Sequence, residues 1–273
     1  AQPPALRKFT YSYFKPALER AMQRRGFPLV PYVTVKKYGD VRKGIIGWVA
    51  PPRFSTGFAR LFNAIAILSE AHMLKTYKQR VLGTYALYQE VLRWASRLAP
   101  QLYKAKVEAD RYSTQRSQYT LQWKHLPGFS PIRFLGYAYR KVFSTISGGW
   151  HVQYDRKQPR TWYIPFYNKI TPKLTVKVPK AYVIPQAWKR VIQRLRWNGI
   201  KMSRLKKKQT LDVEVSFVTN AKWAKRPYEG HFRLRDLRVE TIRRKVSYRK
   251  GDYIVPMNQV GSAYIIEVLE AKA

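Results

Sequence analysis

The run Ala64-Ile65-Ala66-Ile67-Leu68, followed by Ser69-Glu70 and then by Val81, Tyr85, Tyr88, Leu92 and Ala95, sets the fold class. Five consecutive apolar residues predict a buried parallel strand, covered on both faces. The later residues recur at spacings of three and four, which predicts a helix from 74 to about 115, broken at Pro100. Upstream, residues 10–26 predict a helix with Ala17, Leu18 and Met22 inward and Gly26 at its end, and residues 30–35 a short strand. A loop at 51–57 leads into the apolar run. Together these features predict a piece of an α/β layer.

The texture changes after residue 118. Short alternating stretches bounded by Pro and Gly predict strands at 119–123, 134–139, 174–178, 211–219, 248–255 and 263–269. One helix interrupts them, with Pro185 near its start, Trp188, Val191, Ile192 and Leu195 inward, and Asn198-Gly199 as its stop. The expected organisation is an α/β fragment over residues 1–117 and a mainly β domain with a helix over 118–273.

Charge limits what such a chain can meet. Of 273 residues, 53 are Lys or Arg and 15 are Asp or Glu, a net +38. With 45% hydrophobic and 15% aromatic residues there is ample material for a core, so disorder is the wrong reading. The excess is spread evenly, at +10, +9, +10 and +9 over residues 1–60, 61–150, 151–200 and 201–273. A membrane binder concentrates its cations on one helix or tail. A body basic along its whole length implies a polyanion on several sides, and nucleic acid fits that. No apolar run reaches the 18 residues of a membrane-spanning helix. Cysteine is absent, so there is neither a disulfide frame nor a thiolate metal site. The start Ala1-Gln2-Pro3-Pro4 has no initiator Met, and a processed terminus or a partial sequence is expected.

Several segments carry a resemblance. They are Gly44-Ile45-Ile46, Pro52-Arg53-Phe54-Ser55-Thr56-Gly57-Phe58, residues 67–81, Tyr154-Asp155-Arg156, residues 179–188, Arg226-Pro227-Tyr228-Glu229-Gly230-His231, residues 251–256 and residues 265–270. In that order they resemble zinc carboxypeptidases of the M14 class, in particular the large bacterial-type branch with an extended C-terminal domain. The resemblance implies that the first part belongs to the carboxypeptidase α/β layer. It also implies that Glu70 matches the family's general base. The family's zinc ligands, a His-x-x-Glu pair and a later His, would lie upstream of the matched region. The histidines here are His72, His125, His151 and His231, and none has a partner at helical ligand spacing. Without zinc the water near Glu70 keeps its ordinary pKa. Phe58 stands where the family is expected to carry Tyr.

The residues therefore predict a chain that is not an enzyme, with no metal, no cofactor and no small-molecule substrate. Glu70 is expected to be inactive and paired with a nearby Lys or Arg. The expected partners are ribosomal RNA and neighbouring ribosomal proteins, in a mitochondrial ribosome in the matrix. Candidate RNA contacts are Arg196, Arg204, Lys206, Lys207 and Lys208, with Arg243, Arg244 and Lys245, and Arg156 with Lys157. Trp197 beside them can stack. The aromatics Tyr154, Trp162, Tyr163, Phe166 and Tyr167 divide between base stacking and β-domain core. The alternative is a peptidase half whose zinc-binding half lies on another chain or outside this sequence. A DNA-binding reading lacks a helix-turn-helix or zinc-finger pattern.

Overall fold

A computed structural model describes residues 2–273. Ala1 lies outside them. The chain opens with helix α1 (Pro4–Phe9), a π-helical turn over Thr10–Phe14, and helix α2 (Lys15–Arg24). Pro4 suits a first helical turn, where its missing N–H costs nothing. Pro16 does not suit a helix interior, and the widened π turn lies immediately before it. Leu6, Phe9, Phe14, Ala17, Leu18, Ala21 and Met22 are all buried, so the inward face predicted for Ala17, Leu18 and Met22 is present. Gly26, at φ +77°, ends the helix.

Strand β1 (Ile45–Ile46), helix α3 (Ser55–Arg60) and the helices α4 (Tyr77–Arg97) and α5 (Ala99–Gln115) follow. A capping box starts α4: the Thr76 hydroxyl accepts from the Gln79 N–H and the Gln79 side chain accepts from the Thr76 N–H, both at 3.3 Å. Pro100 falls in the first turn of α5 and separates the two helices. Of the apolar stripe whose spacing predicts α4, only Ala95 packs against the helical core. Val81, Tyr85, Tyr88 and Leu92 are exposed, while Ala86 and Leu87 lie against the first helices and α5. Glu90 is buried beside them, between Arg25 (3.5 Å) and Arg93 (2.9 Å).

The strand expected at 64–68 does not form. The segment is irregular, and Ile67 and Leu68 are exposed. A parallel strand of this kind needs neighbours on both edges and cover on both faces. Among the described residues no strand lies beside it. The described part of the first 117 residues is mainly helical, with β1 in a small sheet; the chain is mixed α/β with several small sheets, compatible with a carboxypeptidase-like fragment, and its elements do not by themselves establish the expected layer. The segment at 30–35 forms a single bridge, Val35 to Ile45, instead of a strand.

The rest is mixed. Strands β2 (Gln118–His125), β3 (Ser130–Ser144), β4 (Gly149–Tyr167), β5 (Ile170–Lys177) and β6 (Ala181–Ile184) precede helix α6 (Lys189–Trp197). Then come β7 (Ser203–Arg204), β8 (Gln209–Trp223), β9 (Leu234–Tyr248), β10 (Tyr253–Pro256) and helix α7 (Ser262–Leu269). The sheets are small: β1-β4-β3, β6-β10-β7, β2-β5 and β8-β9. The strand predicted at 248–255 is split by a turn through Gly251, at φ +96°. The strand predicted at 263–269 is helix α7. A stretch this short, apolar but for Glu267, cannot be told from a buried helix by periodicity. As a helix it sends Glu267 to accept from the Tyr119 hydroxyl (2.8 Å) and Glu270 from that of Tyr182 (3.2 Å).

The largest core joins Leu61, Ile184, Ile192, Leu195, Val255, Ile265 and Ile266. Packing crosses residue 117 here. Leu61 sits in this core, β1 pairs in parallel with β4, and the Ser262 hydroxyl donates to the Ser113 carbonyl at 2.7 Å. Asn63, at φ +54°, donates to the Ala109 carbonyl (3.2 Å) and to the Ser113 hydroxyl (2.9 Å), so it joins the loop after α3 to α5.

Candidate nucleic-acid interface

The core positions the first group of predicted cations. Ile192 and Leu195 bury one face of α6, which sets Arg196 in its last turn at the surface. Buried Leu205 anchors the chain after β7 through two backbone bonds: its N–H donates to the Asp252 carbonyl (2.8 Å), and its carbonyl accepts from Gly251 (2.9 Å). The next three residues, Lys206, Lys207 and Lys208, are all exposed. Arg196 and Arg204 converge on Tyr253, whose hydroxyl accepts from Arg196 Nη2 (2.5 Å) and Arg204 Nε (2.7 Å). None of these five cations has a carboxylate partner among the described residues. Asp252, beside Tyr253 in the chain, is buried and accepts from the N–H groups of Gln186 (3.0 Å) and Arg249 (2.7 Å). Trp197 is exposed, with the Arg194 guanidinium 5.3 Å from its ring.

The second group is divided by the strand that carries it. Successive side chains of β9 point to opposite faces. Arg244 lies opposite Val213, on the face that holds Leu211, Val215, Ile242 and Val246. Arg243 and Lys245 lie on the other face, opposite Glu214 and Asp212. Arg243 bonds Asp212 at 2.8 Å, and with Lys245 it holds the Asp212 carboxyl below the usual aspartate range. Two of these three charges are thus locally balanced. No helix or other strand packs closely along β8-β9 among the described residues.

Arg156 and Lys157 sit where β4 slips register. Asp155 pairs with Ala138 and Pro159 with Tyr137, so the residues between bulge outward. Asp155 accepts from the Lys157 N–H (2.9 Å) and the Gln158 amide (2.8 Å) and holds the bulge. Alternation also sorts the aromatics of β4. Trp162 and Phe166 pack with Ile45, Phe134 and Ile164, whereas Tyr154 and Tyr163 are exposed. Tyr167 lies under the Lys36 ammonium, 3.8 Å from its ring centre.

Sequence reasoning missed a cleft lined by Lys37, Asp40, Arg42, Tyr139, Arg140 and Lys141. Asp40 accepts from Arg42 Nε (2.9 Å) and from the Tyr139 hydroxyl (2.7 Å), which lower its pKa to about 2. Nothing in the spacing of these residues announces the cleft, because β3 brings Tyr139 to the loop from a distance of about a hundred positions.

Glu70 lies in the irregular segment after Leu68, exposed. It makes no ion pair among the described residues, so the expected pairing with Lys or Arg is absent. His72 Nδ1 accepts from the Leu74 N–H (3.2 Å), and the His125 ring donates to the Gly47 carbonyl (2.6 Å). No three of the described His, Asp and Glu residues gather in one place. Phe58 packs against Phe62 and Tyr264 with ring centres 5.5 and 5.9 Å away.

Comparison with known proteins agrees with the resemblance in part. The chain is similar to carboxypeptidase 2 of Trichophyton rubrum, 34% identical over 101 residues, which is 36% of this chain and 18% of that protein. It is also similar to probable carboxypeptidase 2 of Arthroderma benhamiae, 30% identical over 99 residues, covering 36% and 19%. Carboxypeptidase 2 of Trichophyton tonsurans is 33% identical over 99 residues, covering 36% and 18%. The match thus spans under a fifth of the length of these relatives. No known family profile matches the chain, and no solved structure does. The chain carries a carboxypeptidase-like region.

Proposed function

We propose that this chain is a non-catalytic, RNA-binding component of a ribosome, derived from a metallopeptidase and working in the mitochondrion. One observation carries the reading. Arg196, Arg204, Lys206, Lys207 and Lys208 stand together on a packed core without a counter-charge, on a body of net +38. Such a surface attracts phosphate wherever it meets it. Neighbouring ribosomal proteins would cover the exposed stripe of Val81, Tyr85, Tyr88 and Leu92. Binding to ribosomal RNA tests the proposal. Engagement of six to ten phosphates should cost about three to five decades of affinity between 50 and 200 mM salt. A flat curve removes the proposal. Co-sedimentation with mitochondrial ribosomal subunits tests the location.

A second reading has its own observation. Ile67 and Leu68, 44% and 57% exposed, lead into Glu70 with no strand paired to them among the described residues. A zinc-binding peptidase half on another chain would supply such a strand and give Glu70 a water to activate. Under the first reading Glu70→Gln leaves assembly and function unchanged. A zinc-dependent peptidase activity abolished by that substitution would establish the second.

A further inference from the structure

Tyr253 begins β10, directly opposite Arg204 of β7, and its ring is buried. Its hydroxyl accepts from two guanidinium groups, one arriving along the sheet from Arg204 and one from the end of α6, Arg196. Both also lie close to the ring, 5.3 Å from its centre for Arg196 and 5.1 Å for Arg204. Two like charges are thereby held side by side, neither with an acid paired to it among the described residues, an arrangement that is repulsive in itself. Each guanidinium uses one N–H on Tyr253, and both residues are exposed, so their remaining donors are open to solvent.

We propose that Arg196 and Arg204 form a clamp for one backbone phosphate of RNA, with Tyr253 as its positioning residue. The non-bridging oxygens of a phosphodiester each take N–H donors from one guanidinium, and its negative charge relieves the repulsion. The phenol fixes both forks before the anion arrives, so less side-chain freedom is lost on binding. Lys206, Lys207 and Lys208, all exposed, follow Arg204 in the chain directly after buried Leu205. The clamp rests on the RNA-binding reading and adds to it a particular site whose parts act together.

The test measures affinity for ribosomal RNA at fixed salt for Arg196→Gln, Arg204→Gln, their double variant and Tyr253→Phe. Each arginine variant should lose about tenfold, the order expected for one charge-assisted hydrogen bond. The double variant should lose little more than either single, because half a clamp is no clamp. Tyr253→Phe keeps the ring in the core and releases both forks. It should bind about threefold to tenfold more weakly with an unchanged far-ultraviolet spectrum. Arg204→Lys should not rescue, since an ammonium cannot supply the fork. Losses that multiply in the double variant, together with wild-type binding by Tyr253→Phe, would leave two independent surface charges and overturn the clamp while RNA binding stands. Absence of salt-dependent binding by the wild type would overturn the underlying reading instead. If Tyr253→Phe does not fold, the arginine pair decides alone.

Discussion

The core built from β6-β10-β7, α6 and α7 and the ribbon β8-β9 are made of similar residues and treat them differently. Both carry three consecutive cations, Lys206–Lys208 at the edge of the core and Arg243–Lys245 on the ribbon. At the core they follow an anchored Leu205 in irregular backbone, so all three reach solvent, with no ion pair to any of them among the described residues. On the ribbon the strand period sends one to the apolar face and sets two against Asp212 and Glu214. Local backbone, more than the number of charges, decides whether a basic run is available to an anion.

The same contrast governs stability, and there the expected effects are largest. Leu195 is wholly buried where α6 meets α7 and β10. Leu195→Ala should cost about 2–5 kcal/mol, through lost transfer energy and the cavity left behind. Val215 on the ribbon is half-exposed and has no element packed over it. Val215→Ala should cost under about 1 kcal/mol, as expected of a two-stranded ribbon that is marginal in water. Urea denaturation of both variants measures the difference. Equal losses would mean that the ribbon face is packed, which breaks the comparison.

A smaller effect separates the two basic runs in binding. Replacing Lys206, Lys207 and Lys208 by Ala should lower the slope of log affinity against log salt by about two to three, at close to one for each phosphate no longer neutralised. Replacing Arg243, Arg244 and Lys245 should lower it by about one or less, because Asp212 and Glu214 already offset two of those charges. Neither triple variant should unfold, as no member of either set is buried. Salt-titrated binding to ribosomal RNA with both proteins is the measurement. A larger slope change for the ribbon would reverse the assignment of the interface.

The sequence shows these differences unevenly. Helices α2, α4, α5 and α6 exist where periodicity and the punctuation of Gly26, Pro100 and Asn198-Gly199 place them, because those signals are local, but the inward residues predicted for α4, apart from Ala95, and Trp188 before α6 are exposed. The strand at 64–68 and the helix at 262–269 are misread for one reason. A short, mostly apolar stretch does not declare whether it becomes strand, helix or irregular chain, because that depends on what stands next to it. Residues 64–68 find no neighbouring strand among the described residues, whereas 262–269 find a complete core. The candidate site is legible as a composition of cations, but the convergence of Arg196 and Arg204 on Tyr253 is not. It depends on β7 and β10 pairing across about fifty residues, which no local pattern encodes.

The smallest effect concerns one carboxylate in each region, and the two should respond to acid with opposite sign. Burial raises the pKa of Glu267 on α7, partly offset by the bond it accepts from Tyr119 and by Arg60. A carboxyl with a raised folded pKa favours the fold when protonated. Its contribution is full below the ordinary glutamate pKa and is lost as pH rises through the raised value. Lowering the pH from 7 towards the ordinary glutamate range should therefore strengthen the core by Glu267's share. Glu267→Gln keeps an acceptor for the Tyr119 hydroxyl and removes the buried charge. At pH 7 it should be neutral or stabilising by at most about 1 kcal/mol, given partial exposure to solvent. Asp212 on the ribbon is the reverse case, held low by Arg243. Its contribution is present above the ordinary aspartate pKa and fades as pH falls through the depressed one, so Asp212→Asn should weaken the acid sensitivity of the ribbon alone. Chemical denaturation of the two variants from pH 7 to pH 3 separates them. Loss of stability in Glu267→Gln at pH 7 would show that the ionised carboxylate, and not the hydrogen-bonded shape, holds α7 to β2.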